Sequence, residues 1–572
     1  MRWLLLTLLT LALQLDPAFA APMAVAGSVP GSFITLSYHE VRDEIRDYPD
    51  PYAVDSASLV RQFAWLRGNG YSPVSLDEII AARRGGKPLP KRAVLLTFDD
   101  AYLSFYTRVY PILREFNFPA VLAVVGRWID NPQSELMLYG ETESVHDASF
   151  ATWNQLREMA DSGLIELASH TYDLHRGIPA NPQGNLSPAA TTRAYDALNN
   201  SYEDDLTWRA RVRGDLARNI EVIERNTGHR PRVMVWPYGS YNDELVHIAG
   251  ELKLPVAVTL DDGTNTPDVP LTAIRRVLIE HSPTLADFVA EVQGPRNPEP
   301  VRVVQIDLDS IYSADSAQQE LNLSLLLDRI EVLQPTHVYL QATTNTGGDV
   351  VTNAAYFPNR HLLLRADLFN RVSWQITTRV GARVFAVMPI RMDNMSADSV
   401  SEVYEDLARH ASFSGLVFEG NSPADDADES ATIKFTRQLT ARVQAFRAPL
   451  QTVRSLTTEQ SPICIAGELQ VKKRVNTYVD SYDYVALISA PFDTTNIGLL
   501  KSLKETDLLR RTVFMLRSPV ADDLARQMRH LQLGGALNFG YVPDDFLHDD
   551  PPLATMAPPM SLRVYPLKLK EQ

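Results

Sequence analysis

Cysteine is almost absent. Cys464 is the only one in 572 residues, which excludes an intramolecular disulfide and leaves stability to large hydrophobic cores. Positive charge is also short: 54 Lys and Arg stand against 70 Asp and Glu, for a net charge of −16. Nucleic-acid affinity rests largely on neutralising phosphates with basic side chains. A nucleic acid is therefore excluded as the main partner, and a neutral or cationic one fits better. Apart from Trp3 to Leu15, no apolar run approaches the roughly 20 residues that a membrane span requires. No fixed-period repeat or long low-complexity tract occurs, which argues against a repeat architecture.

What is present begins at the N-terminus. Met1-Arg2 gives a short positive start, Trp3 to Leu15 an apolar stretch, and Ala18-Phe19-Ala20 an A-x-A cleavage pattern. Together they predict a secretory signal peptide over residues 1–20, with an uncleaved anchor as the competing reading. No cysteine follows the apolar run, so a lipid anchor is not expected there.

The length calls for two or three domains. From about Ser32 to Leu285, β-branched runs alternate with helical stretches, the pattern of parallel strands with crossover helices. Strands are predicted at Phe33–Ser37, Ala93–Phe98, Ala120–Val124, Ile165–Ala168, Val233–Trp236 and Val256–Leu260. A polar, proline-rich segment, Gln293 to Pro300, reads as a linker and sets boundaries at 31–290, 291–300 and 301–560. Beyond it the alternation restarts, with strands predicted at Val301–Ile306, His337–Leu340, Val384–Met388, Gly415–Phe418, Tyr484–Ile488, Val513–Leu516 and Ala536–Phe539. Repeated βα units over such a length predict an α/β protein whose C-terminal half is a (β/α)8 barrel. Lys568 to Gln572 reads as a solvated tail.

The chemistry starts at Asp99-Asp100, which end the apolar run Ala93 to Phe98. Adjacent carboxylates resist ionising together, so a metal ion, a shared proton or solvent has to offset them. A helix N-cap is the bland alternative. About seventy residues later, Ala168-Ser169-His170-Thr171-Tyr172-Asp173-Leu174-His175 follows another apolar run. Two imidazoles and one carboxylate make a ligand set for a divalent cation, with positions left for water and substrate. The second carboxylate is then free to act. The same three ligands also fit the iron facial triad of oxygenases, though that reading explains neither Asp99 nor His39.

Thr97-Phe98-Asp99-Asp100 with His170-Thr171-x-x-x-His175 resembles the polysaccharide deacetylases of carbohydrate esterase family 4, which remove acetyl groups from N-acetylated sugars with a metal-activated water. The resemblance implies a distorted (β/α) deacetylase barrel over 31–290, with Asp99 as general base and Asp100, His170 and His175 as ligands of one divalent metal (Zn, Ni, Co or Fe). Two departures narrow it. The histidines are five apart rather than four, and Ser37-Tyr38-His39-Glu40-Val41 at the first strand end takes the place of a C-terminal histidine motif. That order resembles the poly-β-1,6-N-acetylglucosamine N-deacetylases, periplasmic enzymes of biofilm polysaccharide export, and implies His39 as the general acid. It also implies a periplasmic location, a β-1,6-linked N-acetylglucosamine polymer as substrate and an outer-membrane polysaccharide export protein as partner. Chitin or peptidoglycan is the alternative substrate, and a non-catalytic polysaccharide-binding export scaffold is the alternative of another class.

Arg230 to Gly239 looks like this family's groove motif. Tyr238 would present a backbone N–H to the oxyanion, and Trp236 and Tyr238 apolar surface to a sugar, with ordinary core packing as the equal alternative for Trp236. Where the broader family carries an arginine this chain has Val235, so Arg275 or Arg276 is expected to orient the base. The resemblance continues through Val304 to Asp309, Tyr356 to His361 and Asn538 to Phe546, which implies a glycoside-hydrolase-like domain that binds the deacetylated polymer; Asp307 and Asp309 would suit a partly cationic polymer, or are equally solvated strand-end residues. Cleaving members carry an acidic pair where this chain has Glu419-Gly420-Asn421. Glu419 or Asp425-Asp426 would have to substitute, so hydrolase activity is expected to be weak or absent.

Overall fold

The structure, a computed structural model, describes residues 29–45, 50–130, 138–139, 143–144, 150–293, 300–345, 352–392, 394–420, 429–457, 465–489, 496–506 and 508–562. The signal peptide, most of the linker, Asp425-Asp426 and the tail lie outside them. No described helix is long and apolar enough to cross a membrane.

The first domain is built on an eight-stranded parallel sheet: β1 (Phe33–Tyr38), β2 (Ser72–Pro73), β3 (Ala93–Phe98), β4 (Ala120–Val124), β5 (Ile165–Ser169), β6 (Val233–Val235), β7 (Val256–Val258) and β8 (Val277–Leu278). Its order is β7-β6-β5-β4-β3-β1-β8, with β2 also paired to β3. Every residue of β1, β3 and β4 is buried, as befits parallel strands covered on both faces, and this is why they read as largely apolar runs broken only by small hydroxyl residues such as Thr35, Ser37 and Thr97. The edge strands β7 and β8 do not pair. The segment between them folds back instead, with Thr259 N donating to Ile274 O at 2.8 Å. This is the distortion of the barrel.

The second domain is a closed eight-stranded parallel barrel: β9 (Arg302–Asp307), β10 (His337–Gln341), β11 (Arg383–Pro389), β12 (Gly415–Glu419), β13 (Gln451–Thr457), β14 (Tyr484–Ser489), β15 (Thr512–Leu516) and β16 (Phe539–Tyr541). Strand β13 is absent from the sequence expectation. Its run Gln-Thr-Val-Arg-Ser-Leu-Thr is too polar to read as a buried strand, yet Arg454 within it is 1% exposed. That guanidinium is accommodated by carbonyls: Nη1 donates to Phe418 O and Ser455 O, and Nη2 to Gly420 O at 2.6 Å. The eighth strand lies three residues beyond its expected start, and β8 was too short to register as a pattern.

Candidate active site

The C-terminal ends of β1, β3 and β5 and the turn after β6 converge. His39 follows β1, Asp99 and Asp100 follow β3, His170 and His175 follow β5, and Tyr238 lies in the turn after β6. The backbone there is unusual. Asp100 (φ 72°), Ala101 (φ 54°), Thr171 (φ 69°) and Tyr238 (φ 58°) are all left-handed without being glycine. Such residues cost on the order of 1–3 kcal/mol each and persist where surrounding structure over-determines them, often at functional sites.

Asp100, His170 and His175 form a buried cluster whose ligand atoms lie within 4.8 Å of one another. Asp100 Oδ1 is 3.6 Å from His170 Nε2 and 3.5 Å from His175 Nε2. These separations are too long for good hydrogen bonds and match atoms that share one cation at roughly 2.0–2.2 Å. The outer shell agrees: His170 Nδ1 lies 2.7 Å from Val235 O, which fixes its proton there and turns the Nε2 lone pair to the cluster. Burial holds both imidazoles below their ordinary pKa, His175 far below with His170 adding to the effect. Both are therefore neutral, as ligands must be.

Asp99 is held apart from this cluster. Arg276, 2% exposed, places Nη1 2.8 Å from both of its carboxylate oxygens and donates from Nε to Thr259 O at 2.8 Å. Burial pushes the Asp99 carboxyl up, but the charge and hydrogen bonds of the Arg276 guanidinium oppose it, and the carboxyl stays below the usual range, hence ionised. Of the two arginines expected, Arg276 occupies this position. His39 Nε2 sits 3.8 Å from Asp99 Oδ2, and burial lowers its pKa to about 4 despite the pull of Asp99.

Tyr238 is 37% exposed, with its ring centroid 4.5 Å from that of His175. Trp236 is a correction: it is fully buried among the side chains packed behind the sheet, so it has no face for a sugar. The β6 strand period puts it on the core side, and only the turn beyond reaches the cleft.

The helix α1 (Asp205–Thr227) supplies supports that the sequence reading missed. Asp215 accepts from Tyr172 N and Asp173 N, both at 2.8 Å, and Asn219 Nδ2 donates to Val124 O and Ser169 Oγ. This i, i+4 polar pair bolts the histidine loop to the sheet. A signal existed, because polar side chains recur on the apolar stripe of an otherwise amphipathic helix.

In the second domain, alternation along β9 and β12 puts Gln305, Asp307 and Glu419 on the lumen side with Val303 and Val417, at the barrel's C-terminal mouth. Asp307 and Asp309 are exposed, and Asp309 accepts hydrogen bonds from the Thr344 and Tyr356 hydroxyls.

The family model described as "Polysaccharide deacetylase" matches residues 86–257, and that described as "Hypothetical glycosyl hydrolase family 13" matches 305–395. A poly-β-1,6-N-acetyl-D-glucosamine N-deacetylase of Escherichia coli (strain K12) is 33% identical, over 93% of this chain and 92% of its own length. The chain belongs to the poly-β-1,6-N-acetyl-D-glucosamine N-deacetylase family. It is thus a polysaccharide deacetylase, a hydrolase of amide bonds, with a glycoside-hydrolase-like second domain. Among solved structures, the deacetylase domain of BpsB from Bordetella bronchiseptica is 46% identical over 45% of this chain and 98% of that one, with a TM-score of 0.40. The glycoside hydrolase domain of PgaB (BpsB) from the same organism is 30% identical over 46% and 99%, with a TM-score of 0.39.

Proposed function

We propose that this deacetylase removes acetyl groups from poly-β-1,6-N-acetylglucosamine with the help of one divalent cation held by Asp100, His170 and His175. The observation that carries the reading is the three-donor cluster beside, but separate from, the Asp99–Arg276 pair. A bound divalent cation supplies a water of lowered pKa and polarises a carbonyl. The chain's own residues do the rest. Asp99, ionised and aimed by Arg276, accepts the proton of the attacking water. His39 is uncharged at rest, so the proton it delivers to the departing amine is the one Asp99 has just taken, handed over as the 3.8 Å between them closes to hydrogen-bond distance. Tyr238 presents its N–H to the developing oxyanion and its ring to the sugar.

The same proposal includes secretion to the periplasm through residues 1–20 and service to biofilm polysaccharide export through an outer-membrane protein. The signal-peptide pattern supports the secretion, and the polymer named for the relatives supports the substrate. The second domain holds the deacetylated, partly cationic polymer at Asp307 and Asp309, with hydrolysis weak or absent. Supporting that, Gly420-Asn421 stand where cleaving members are acidic, and the Phe418 and Gly420 carbonyls are committed to Arg454. The test is acetate release from β-1,6-linked N-acetylglucosamine oligomers after chelation and add-back of Zn, Co, Ni or Fe. Activity indifferent to chelation would sink the metal reading. Release only from chitin or peptidoglycan oligomers would reassign the substrate.

A further inference from the structure

A cavity of about 1200 Å³ lies between the two domains. It begins at Tyr238, which packs on His175, and reaches Trp374 and Thr377 on the helix α2 (Phe369–Val380) beneath the second barrel. Small-molecule sites occupy roughly 300–1000 Å³, so one sugar would leave much of this space empty.

Its walls are fastened across the domain boundary on both sides. The hairpin 177–188 is tied to α2, Trp374 Nε1 donating to Leu186 O at 2.7 Å and Asn370 Nδ2 to Ala180 O at 3.1 Å. Opposite, Ala448 N donates to Tyr241 O at 3.2 Å and Asn242 Nδ2 to Phe446 O at 3.1 Å. The groove is thus a formed feature of the two-domain body. Its charges balance: Asp261, Asp262 and Asp483 face Arg275, Arg383 and Arg447. A balanced lining gives no net attraction to a polycation and suits uncharged, N-acetylated sugars. The barrel mouth, with Asp307, Asp309 and Glu419, has the opposite character.

We propose that this groove binds the still-acetylated neighbours of the sugar under attack, so that the underside of the second barrel is part of the deacetylase's substrate site. The proposal rests on the deacetylase reading given above. Thr377 is exposed on the groove wall, and Thr377→Trp in the full chain would plug it. Lys501→Trp, at an exposed helix position outside the groove, is the control. The measurements are kcat/KM for acetate release from the fully acetylated β-1,6 dimer and hexamer, and hexamer binding by calorimetry. Thr377→Trp is expected to lower the hexamer-to-dimer ratio of kcat/KM at least tenfold, mainly through KM, and to weaken hexamer binding; Lys501→Trp is expected to change neither. An unchanged ratio, or an equal fall on both substrates, would overturn the proposal. If the parent released no acetate from either oligomer, the deacetylase reading would fail, and hexamer binding by itself would still decide the groove.

Discussion

The two domains place carboxylates at the C-terminal ends of parallel strands in opposite ways. In the first, Asp99 and Asp100 are buried at 3% and 0% exposure, each committed to a cationic or metal-ligating partner. In the second, Asp307 and Asp309 are exposed, and the buried guanidinium of Arg454 donates to backbone carbonyls. Buried charge is tolerated only where it is paired. On the function proposed above, the first domain's site does the chemistry and the second's holds charge. Similar scaffolds differ in what their strand-end loops carry.

The sharpest way to break this contrast is to remove the first domain's acids. Asp100→Ala is expected to abolish metal retention, measured by elemental analysis, together with acetate release. Asp99→Asn is expected to keep the metal and lower kcat by roughly 10²–10⁴-fold, the usual worth of a general base. Glucosamine-oligomer binding by the second domain should survive both. If Glu419→Gln instead removed acetate release, or abolished a depolymerisation seen in the parent, the division of labour would be wrong.

Next in size is the arginine. Arg276→Met leaves the Asp99 carboxylate buried without its partner, and breaking such a pair costs about 3–5 kcal/mol. The denaturation midpoint of the first domain should fall accordingly, with residual activity shifted to higher pH as the Asp99 carboxyl rises. A loss of activity with no change in stability would mean that the pair is not buried in solution.

Much of the first domain was legible because its chemistry sits beside its strongest pattern. The mainly apolar strand β3 ends directly in Asp99-Asp100, and β5, Ile-Glu-Leu-Ala-Ser, leads straight into His170, so strand ends and ligands are legible together. What sequence hid was long-range or contrary to pattern. Arg276 lies 177 residues from Asp99, and nothing local separates it from Arg275. Trp236 reads as a groove aromatic until the strand period buries it. Strand β13 carries an arginine that only the neighbouring carbonyls make tolerable. The Asp215 and Asn219 supports act through the backbone of another segment, which no local motif reveals.

The boundary between the domains offers a third test. Tyr202 of the first domain donates to Asp367 Oδ2 of the second at 2.5 Å. Burial raises the Asp367 carboxyl from its ordinary value to about 6, outweighing that hydrogen bond. Between the unfolded value and about 6 the native protein binds more protons than the unfolded chain, so stability falls as pH rises through this window. The part of the shift that survives partial solvent exposure amounts to about 1–2 kcal/mol. Calorimetric melting from pH 4 to 7 should show this decline superposed on other titrations, and Asp367→Asn should flatten it. A steeper decline in the variant would assign the effect elsewhere.

The smallest effect belongs to the barrel mouth, and it bears most directly on the contrast. Exposed charge pairs are worth about 0.2–1 kcal/mol each and are screened by salt. Asp307→Asn with Asp309→Asn should therefore weaken binding of a deacetylated glucosamine oligomer only severalfold at low ionic strength, with the difference vanishing in high salt. Binding of the fully acetylated oligomer and acetate release should both hold at parental levels, because the amide oxygen can still accept from one of the Thr344 and Tyr356 hydroxyls while its NH2 donates to the other. A loss of a hundredfold or more, insensitive to salt, would mean that these carboxylates are desolvated by the ligand. The second domain would then build a closed site as the first does, and the difference between the two would be one of substrate rather than of burial.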